Sequence, residues 1–270
     1  MKTRRVFIFC FFLILYCSSM FAGTGMGRYA FRSLDINNGL SQNTVAAIIQ
    51  DRLGFMWFGT KDGLNRYDGV SFQTFMKESG TLGNNFITSL YEDCLGQIWI
   101  GTDVGVYIYS PSGEKVERFV IQSNLNTTIE QTVHTIKGDR KGRVWIVSER
   151  QGIFCYDTNR GTLEHLQTDA SGKKRLRNAG QIVFDQDDVC WLDIHDGNLY
   201  SSRDGLHTLK PVFSPGIKAP FKGKRINKLL PGPYNCLYVG TDDGLMEVNL
   251  TSGALSSLLP GTAASGESLF

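Results

Sequence analysis

Apolar residues recur along this chain in short runs of period two, punctuated by glycine and aspartate, and the runs themselves repeat. Residues 55–64 read FMWFGTKDGL and residues 97–106 read QIWIGTDVGV. The tryptophan position returns at Trp57, Trp99, Trp145, Trp191 and, as a tyrosine, Tyr238, at intervals of 42, 46, 46 and 47 residues. Six residues earlier stand Asp51, Asp93, Asp139, Asp185 and Gly232; three earlier stand Gly54, Gly96, Gly142, Asp188 and Asn235. A fixed period of this length marks a repeat architecture, here with five units.

Each unit predicts short antiparallel strands. VAAIIQ leads through DRLG, with Asp51 and Gly54 at the ends of a type I turn, into FMWFGT. FMWFG is apolar on both alternating faces, so it must be covered above and below. GLNRYDG then enters an Asp68-Gly69 turn, and SFQTF supplies a fourth strand. The glycine after each tryptophan is expected to end the second strand. Turn aspartates such as Asp51, Asp93 and Asp139 are expected to cap backbone N–H groups.

Four-stranded sheets buried on both faces and repeated in tandem predict an all-β fold, a β-propeller of four-stranded antiparallel blades. The five blades are expected at about 41–78, 84–122, 131–168, 178–212 and 225–260. Each aromatic mark should wedge against the following blade, and burying roughly 200 Å² of tryptophan at about 25 cal/mol/Å² contributes ~5 kcal/mol before entropy costs. The fourth strands share an apolar-x-x-apolar pattern: Phe72/Phe75, Val116/Phe119, Leu163/Leu166, Leu206/Leu209 and Leu255/Leu258. A sixth copy, Phe31/Leu34, lies in the segment 23–40 and predicts an outer closing strand for a blade beyond Phe270, which makes the chain a piece of a longer protein.

Hydropathy changes the picture at the N-terminus. Lys2, Arg4 and Arg5 precede an apolar run from Val6 to Tyr16, then small residues, so residues 1–22 read as a signal peptide, with an uncleaved anchor as the alternative. Its loss takes 28 basic residues to 25 against 26 acidic ones, and a near-neutral exported domain gives no reason to expect nucleic acid. Cys94, Cys155, Cys190 and Cys236 remain, widely spaced, and read as free buried thiols.

From Leu40 to Phe75, LSQNTVAAIIQDRLGFMWFGTKDGLNRYDGVSFQTF resembles the two-component regulator propeller repeat. The wording D-x-x-G-x-x-W-[FI]-G-T-x-x-G-[LV] is strongest in the first two units; Val147-Ser148 and Asp193-Ile194 replace Gly-Thr in the third and fourth. The resemblance implies seven blades, of which five are present, in the periplasmic sensor region of a Bacteroidetes hybrid two-component histidine kinase anchored in the inner membrane. It further implies oligosaccharide sensing, further domains in the same protein and a homodimer. Phosphotransfer would belong to the parent protein, so no enzyme activity is expected of this chain.

In a propeller, the loops entering the innermost strand and those after the second strand share one rim. The candidate ligand contacts there are Asn43, Lys61, Asp62, Asn84, Asn85, Asp103, Glu149, Arg150, His195 and Asp242. Neighbouring rim positions are Ser41, Gln42, Phe86, Gln131, Asn178, Asp196, Arg225 and Asp243. Amides and charges suit sugar hydroxyls, and the same mix describes ordinary solvated loops; the resemblance also allows a ligand at a junction between propellers. His134, His165, His195 and His207 show no metal-ligand spacing, no G-x-S-x-G elbow exists, and neither cofactor nor metal is expected. A secreted propeller enzyme, such as a glycan lyase or a streptogramin-lyase-like protein, and a protein-binding scaffold are the other readings.

Overall fold

The computed structural model describes residues 31–120, 128–213 and 219–260; the expected signal peptide lies outside them. Residues from Asp35 onward form one compact unit. Its first sheet contains β1 (Val45–Gln50), β2 (Met56–Thr60), β3 (Gly63–Tyr67) and β4 (Phe72–Phe75). The second contains β5 (Ile87–Glu92), β6 (Ile98–Thr102), β7 (Gly105–Ser110) and β8 (Lys115–Arg118), and the third β9 (Val133–Gly138), β10 (Arg143–Ser148), β11 (Gly152–Asp157) and β12 (Thr162–Leu166). The fourth has β13 (Ile182–Phe184), β14 (Cys190–Asp193), β15 (Leu199–Ser202) and β16 (Lys210–Pro211); the fifth has β17 (Ile226–Gly232), β18 (Cys236–Thr241), β19 (Gly244–Asn249) and β20 (Leu255–Pro260). Strands pair in sequence order within each of five four-stranded sheets, giving five blades in a propeller arrangement.

The repeated aspartate and tryptophan form one hydrogen-bonded unit. Asp51, Asp93, Asp139 and Asp185 accept the indole N–H of Trp57, Trp99, Trp145 and Trp191 on Oδ2 at 2.7, 2.8, 2.9 and 2.8 Å. The other carboxylate oxygen of Asp93 accepts the backbone N–H groups of Leu95 and Gln97, both at 2.9 Å, and the same pair of turn bonds recurs at Asp51, Asp139 and Asp185. Capping of the turn therefore holds, and the six-residue spacing also ties that turn to an indole. The indole faces then pack forward. Trp57 lies 4.8 Å from Tyr109 of the second blade, Trp99 5.5 Å from Tyr156 of the third, and Trp145 5.7 Å from Phe184 of the fourth. Trp191 shares a buried cluster with Ile226, Leu229 and Val239 of the fifth. The four tryptophans are 0%, 0%, 1% and 8% exposed.

The glycine after the tryptophan does not end the second strand. Gly59 and Gly101 lie inside β2 and β6, where a Cβ would stand 2.5 Å from Ile87 Cγ2 and 2.8 Å from Val133 Cγ1 of the next blade's inner strand. Their role is close approach between blades. In the third blade this position is Val147, and its counterpart across the interface shrinks to Ala179 in the same buried cluster. The drifted unit keeps the fit by exchanging sizes across the seam.

Two further expectations are corrected, one at Leu206 and Leu209 and one at Cys94. Leu206 and Leu209 are not strand residues; β16 is Lys210–Pro211, and both leucines pack from a loop onto the fourth-blade core, because the spacing recorded burial rather than pairing. Residues 31–34 are unpaired and Phe31 is 96% exposed, and the blade they are expected to close lies outside the described residues. Tyr238 is only half-buried, and the blade expected to follow it lies outside the described residues. Its ring instead occupies the space of the missing aspartate, since a Cβ on Gly232 would lie 2.6 Å from Tyr238 Cε2. The four cysteines are unpaired and Cys94 is exposed rather than buried; burial pushes the Cys155 thiol up to about 12.

Asp93→Ala leaves three donors without an acceptor and is expected to cost about 2–4 kcal/mol in urea unfolding. A loss below about 0.5 kcal/mol would show that the carboxylate does not hold the blade. Gly101→Ala is expected to cost about 1–3 kcal/mol by overpacking against Val133, with Val133→Ala relieving part of it in a double-mutant cycle. Additive costs would contradict the seam geometry.

Candidate functional site

The rim is built by two local devices. In four blades the register between first and second strands slips at the same place, leaving Ala46, Thr88, His134 and Asn227 as the unpaired residue of a β-bulge. Bulges re-aim a side chain at the end of a strand. Across the same loops, Thr60, Thr102 and Thr241 donate their hydroxyls to the carbonyls of Gly63, Gly105 and Gly244 at 2.9, 2.9 and 3.0 Å. This is what the Gly-Thr-x-x-Gly wording encodes at this end of the blade.

The fourth blade departs from that wording in a concerted way. Asp193 stands where the other blades carry Gly or Val, and its Oδ1 accepts the His195 N–H at 2.8 Å, closing the loop as the threonine does elsewhere. His195 Nδ1 lies 3.0 Å from Asp193 Oδ2, within ion-pair range although off the line of a hydrogen bond, so that oxygen has no hydrogen-bond partner among the described residues. His195 adopts a left-handed φ of 57°, and its ring occupies the space above Gly180, where a Cβ would fall 2.7 Å from Nε2. Gly180 takes the bulge position of this blade, so the glycine, the aspartate and the histidine are one adaptation. Burial pushes the Asp193 carboxyl above its ordinary range.

His134 sits at the bulge of the neighbouring blade, half-buried. Burial depresses its pKa, the Glu149 carboxylate works against that, and His195 and Arg225 reinforce it. The mouth beside the third, fourth and fifth blades is therefore of mixed charge, with two histidines of different surroundings. Deeper on the inner strand, burial first and the Lys228 charge second hold Lys137 below its ordinary value.

The structure brings some of the predicted contacts together and disperses others. Asn85 donates to Asp62 at 3.0 Å and to Glu78 at 2.8 Å, and Glu149 and Arg150 form a loose pair at 3.7 Å. Asn43, Asn84 and Asp242 each accept a backbone N–H, from Ile36, Phe86 and Arg225, so their side chains hold loops. Lys61 is exposed, and Asp103 has one carboxylate oxygen buried without a partner among the described residues. Sequence reasoning missed His134, Asp193 and Lys137. The signal was present: a histidine and a lysine inside VHTIKG, where the other units read Ala, Thr, Gly or Asn at the first position and Ile, Tyr, Val or Leu at the second. Among the described residues no three His, Cys, Asp or Glu side chains are grouped to hold a metal, and no helix is long and apolar enough to cross a membrane.

The depressed His134 pKa fixes the sign of a pH effect. The unfolded chain binds that proton below its ordinary value of 6.5 while the folded chain resists it, so this contribution to stability is complete above pH 6.5 and lost as pH falls towards the folded value. NMR titration of the His134 ring is expected to show a midpoint below 6.5. A midpoint at or above it would contradict the burial and charge assignment.

The family model described as "Two component regulator propeller" matches residues 39–62 and 81–104. A histidine kinase of Formosa agariphila is 44% identical over 48 residues, which cover 18% of this chain and 4% of that protein. The extracellular domain of a hybrid two component system of B. thetaiotaomicron superposes with a TM-score of 0.69 at 22% identity, over 85% of this chain and 32% of its own. A catalytically inactive virginiamycin B lyase from Staphylococcus aureus, solved with quinupristin, gives 0.63 at 11% identity over 87% of this chain and 74% of its own; at such identities the likeness is one of fold. This chain thus spans about a third of that extracellular domain and a small part of the kinase. The aspartate-latched, Gly-Thr-closed blades at residues 39–62 and 81–104 are the two stretches that match the two-component regulator propeller family model, and they are carried on a β-propeller scaffold.

Proposed function

We propose that this chain is the extracytoplasmic, non-catalytic sensing propeller of a hybrid two-component protein, located in the periplasm and recognising oligosaccharides released during glycan breakdown. The observation that carries this is the repeat itself. The two segments that match the regulator-propeller family are the two whose latch and rim closure are complete, and a fold of the same kind forms the extracellular domain of a two component system. The rim supplies amides and charges of both signs over rigid blades, a composition suited to hydroxyl-rich ligands.

The end blades point to partners within the same protein. Ile48, opposite Phe58 on the face turned away from the second blade, is 55% exposed. Leu230 and Leu259, on the outward face of the fifth blade, are 60% and 61% exposed, whereas Val183 at the equivalent position of the fourth blade is 7% exposed. Remaining blades of the parent protein, two in a seven-bladed ring, cover these faces.

Glycan-array screening followed by calorimetry on the full chain tests this. At least one oligosaccharide is expected to bind without being cleaved. Absence of any sugar binding removes the carbohydrate part, and release of a cleaved product would favour the enzyme reading.

A further inference from the structure

A groove of about 860 Å³ opens on the face opposite the rim, among the turns that join first to second strands in the third, fourth and fifth blades. That volume is in the range of small-molecule sites. It exists because the fifth blade breaks the repeat. Where the first three blades place Asp-x-x-Gly and the fourth Asp-x-x-Asp, this one has Gly232-Pro233-Tyr234-Asn235, and with no carboxylate at Gly232 no latch draws the turn inward. Tyr234 and Asn235 instead adopt left-handed φ angles of 56° and 56°, and the Tyr234 ring is 96% exposed at the groove wall.

The polar groups of the groove are not equivalent. Asp185 is fully committed: one oxygen accepts the N–H groups of Asp187 and Val189, and the other accepts the Trp191 indole. Arg140 uses its backbone N–H on Asp188, yet the Arg140 and Arg203 guanidinium groups make no ion pair or hydrogen bond among the described residues. Arg140 and Arg203 balance Asp185 and Asp187 in formal charge, but the Asp185 oxygens are taken up by its turn and by the indole, so the two guanidinium groups are the free charged donors of the lining. Planar guanidinium groups match carboxylate geometry with paired hydrogen bonds, and an exposed phenol ring offers a flat apolar face. A carboxylate-bearing sugar presents both features at once: an anion for the arginines and the C–H face of a pyranose for the tyrosine.

We propose that this groove is a binding site for acidic oligosaccharides, with Arg140 and Arg203 receiving the carboxylate and Tyr234 stacking on the ring. The proposal rests on the saccharide-sensing reading and adds both a place and a charge to it. Calorimetry on the full chain with trimers of galacturonate, glucuronate and mannuronate, and with maltotriose as the neutral counterpart, tests it. At least one uronate trimer is expected to bind at least about tenfold tighter than maltotriose. Arg203→Gln and Tyr234→Ala, both at surface positions, should each weaken that binding about tenfold or more, while Gln73→Ala, exposed on the outer strand of the first blade, leaves it unchanged. Uronate binding that survives both groove changes overturns the groove and leaves sensing intact. Binding of maltotriose with no uronate bound also overturns the acidic site alone. Failure of every trimer, joined to a blank glycan array, would overturn the groove and the sensing function together.

Discussion

The carboxylate-to-indole hydrogen bond, made four times between residues six apart, is the constraint from which the rest of this structure follows. Within a blade it welds the turn between the first two strands to a bulky ring in the second. Between blades it orients that ring, so that Trp57 packs between Phe75 at the outer edge of its own blade and Tyr109 of the following sheet, and Trp99 likewise between Phe119 and Tyr156. Buried N–H and carboxylate groups would each be costly alone; paired, and with the remaining oxygen satisfied by two backbone amides, they cost little and specify one arrangement.

The seams respond to the same constraint. With the ring fixed, the inner strand of the next blade must come close to the second strand, and Gly59 and Gly101 leave the space that Ile87 and Val133 fill. The Val147 and Ala179 pairing shows the volume is conserved although the residues are not. The fifth blade shows the converse. Without the aspartate, its turn opens, a tyrosine ring takes the vacated space, and a groove appears where the other blades have a closed turn.

Much of this was legible in the sequence. Period-two runs and aspartate-glycine turns gave the strands of the first, second, third and fifth blades, because there pairing and burial coincide along one segment. They diverged at Leu206 and Leu209, where two leucines reach the core from a loop while the short fourth strand follows at Lys210–Pro211. The candidate site was harder to read. Loop residues such as Asn43, Asn84 and Asp242 look like ligand contacts in a string of letters, and in space they hold their own backbones. His134 and Asp193 lie within strands, where polar residues acquire meaning only once a bulge or a neighbouring blade determines what they face. The groove has no sequence signature of its own beyond the missing aspartate at Gly232.

Hydrogen exchange at the four indole N–H protons, followed by NMR, measures the latch where it acts. A donor held by a buried carboxylate exchanges only when its blade opens, so the indoles of Trp57, Trp99, Trp145 and Trp191 should be slowed by at least about a thousandfold relative to free tryptophan. Exchange at the free rate in Trp99 and Trp145, whose bonds to Asp93 and Asp139 are the most buried, would contradict the account.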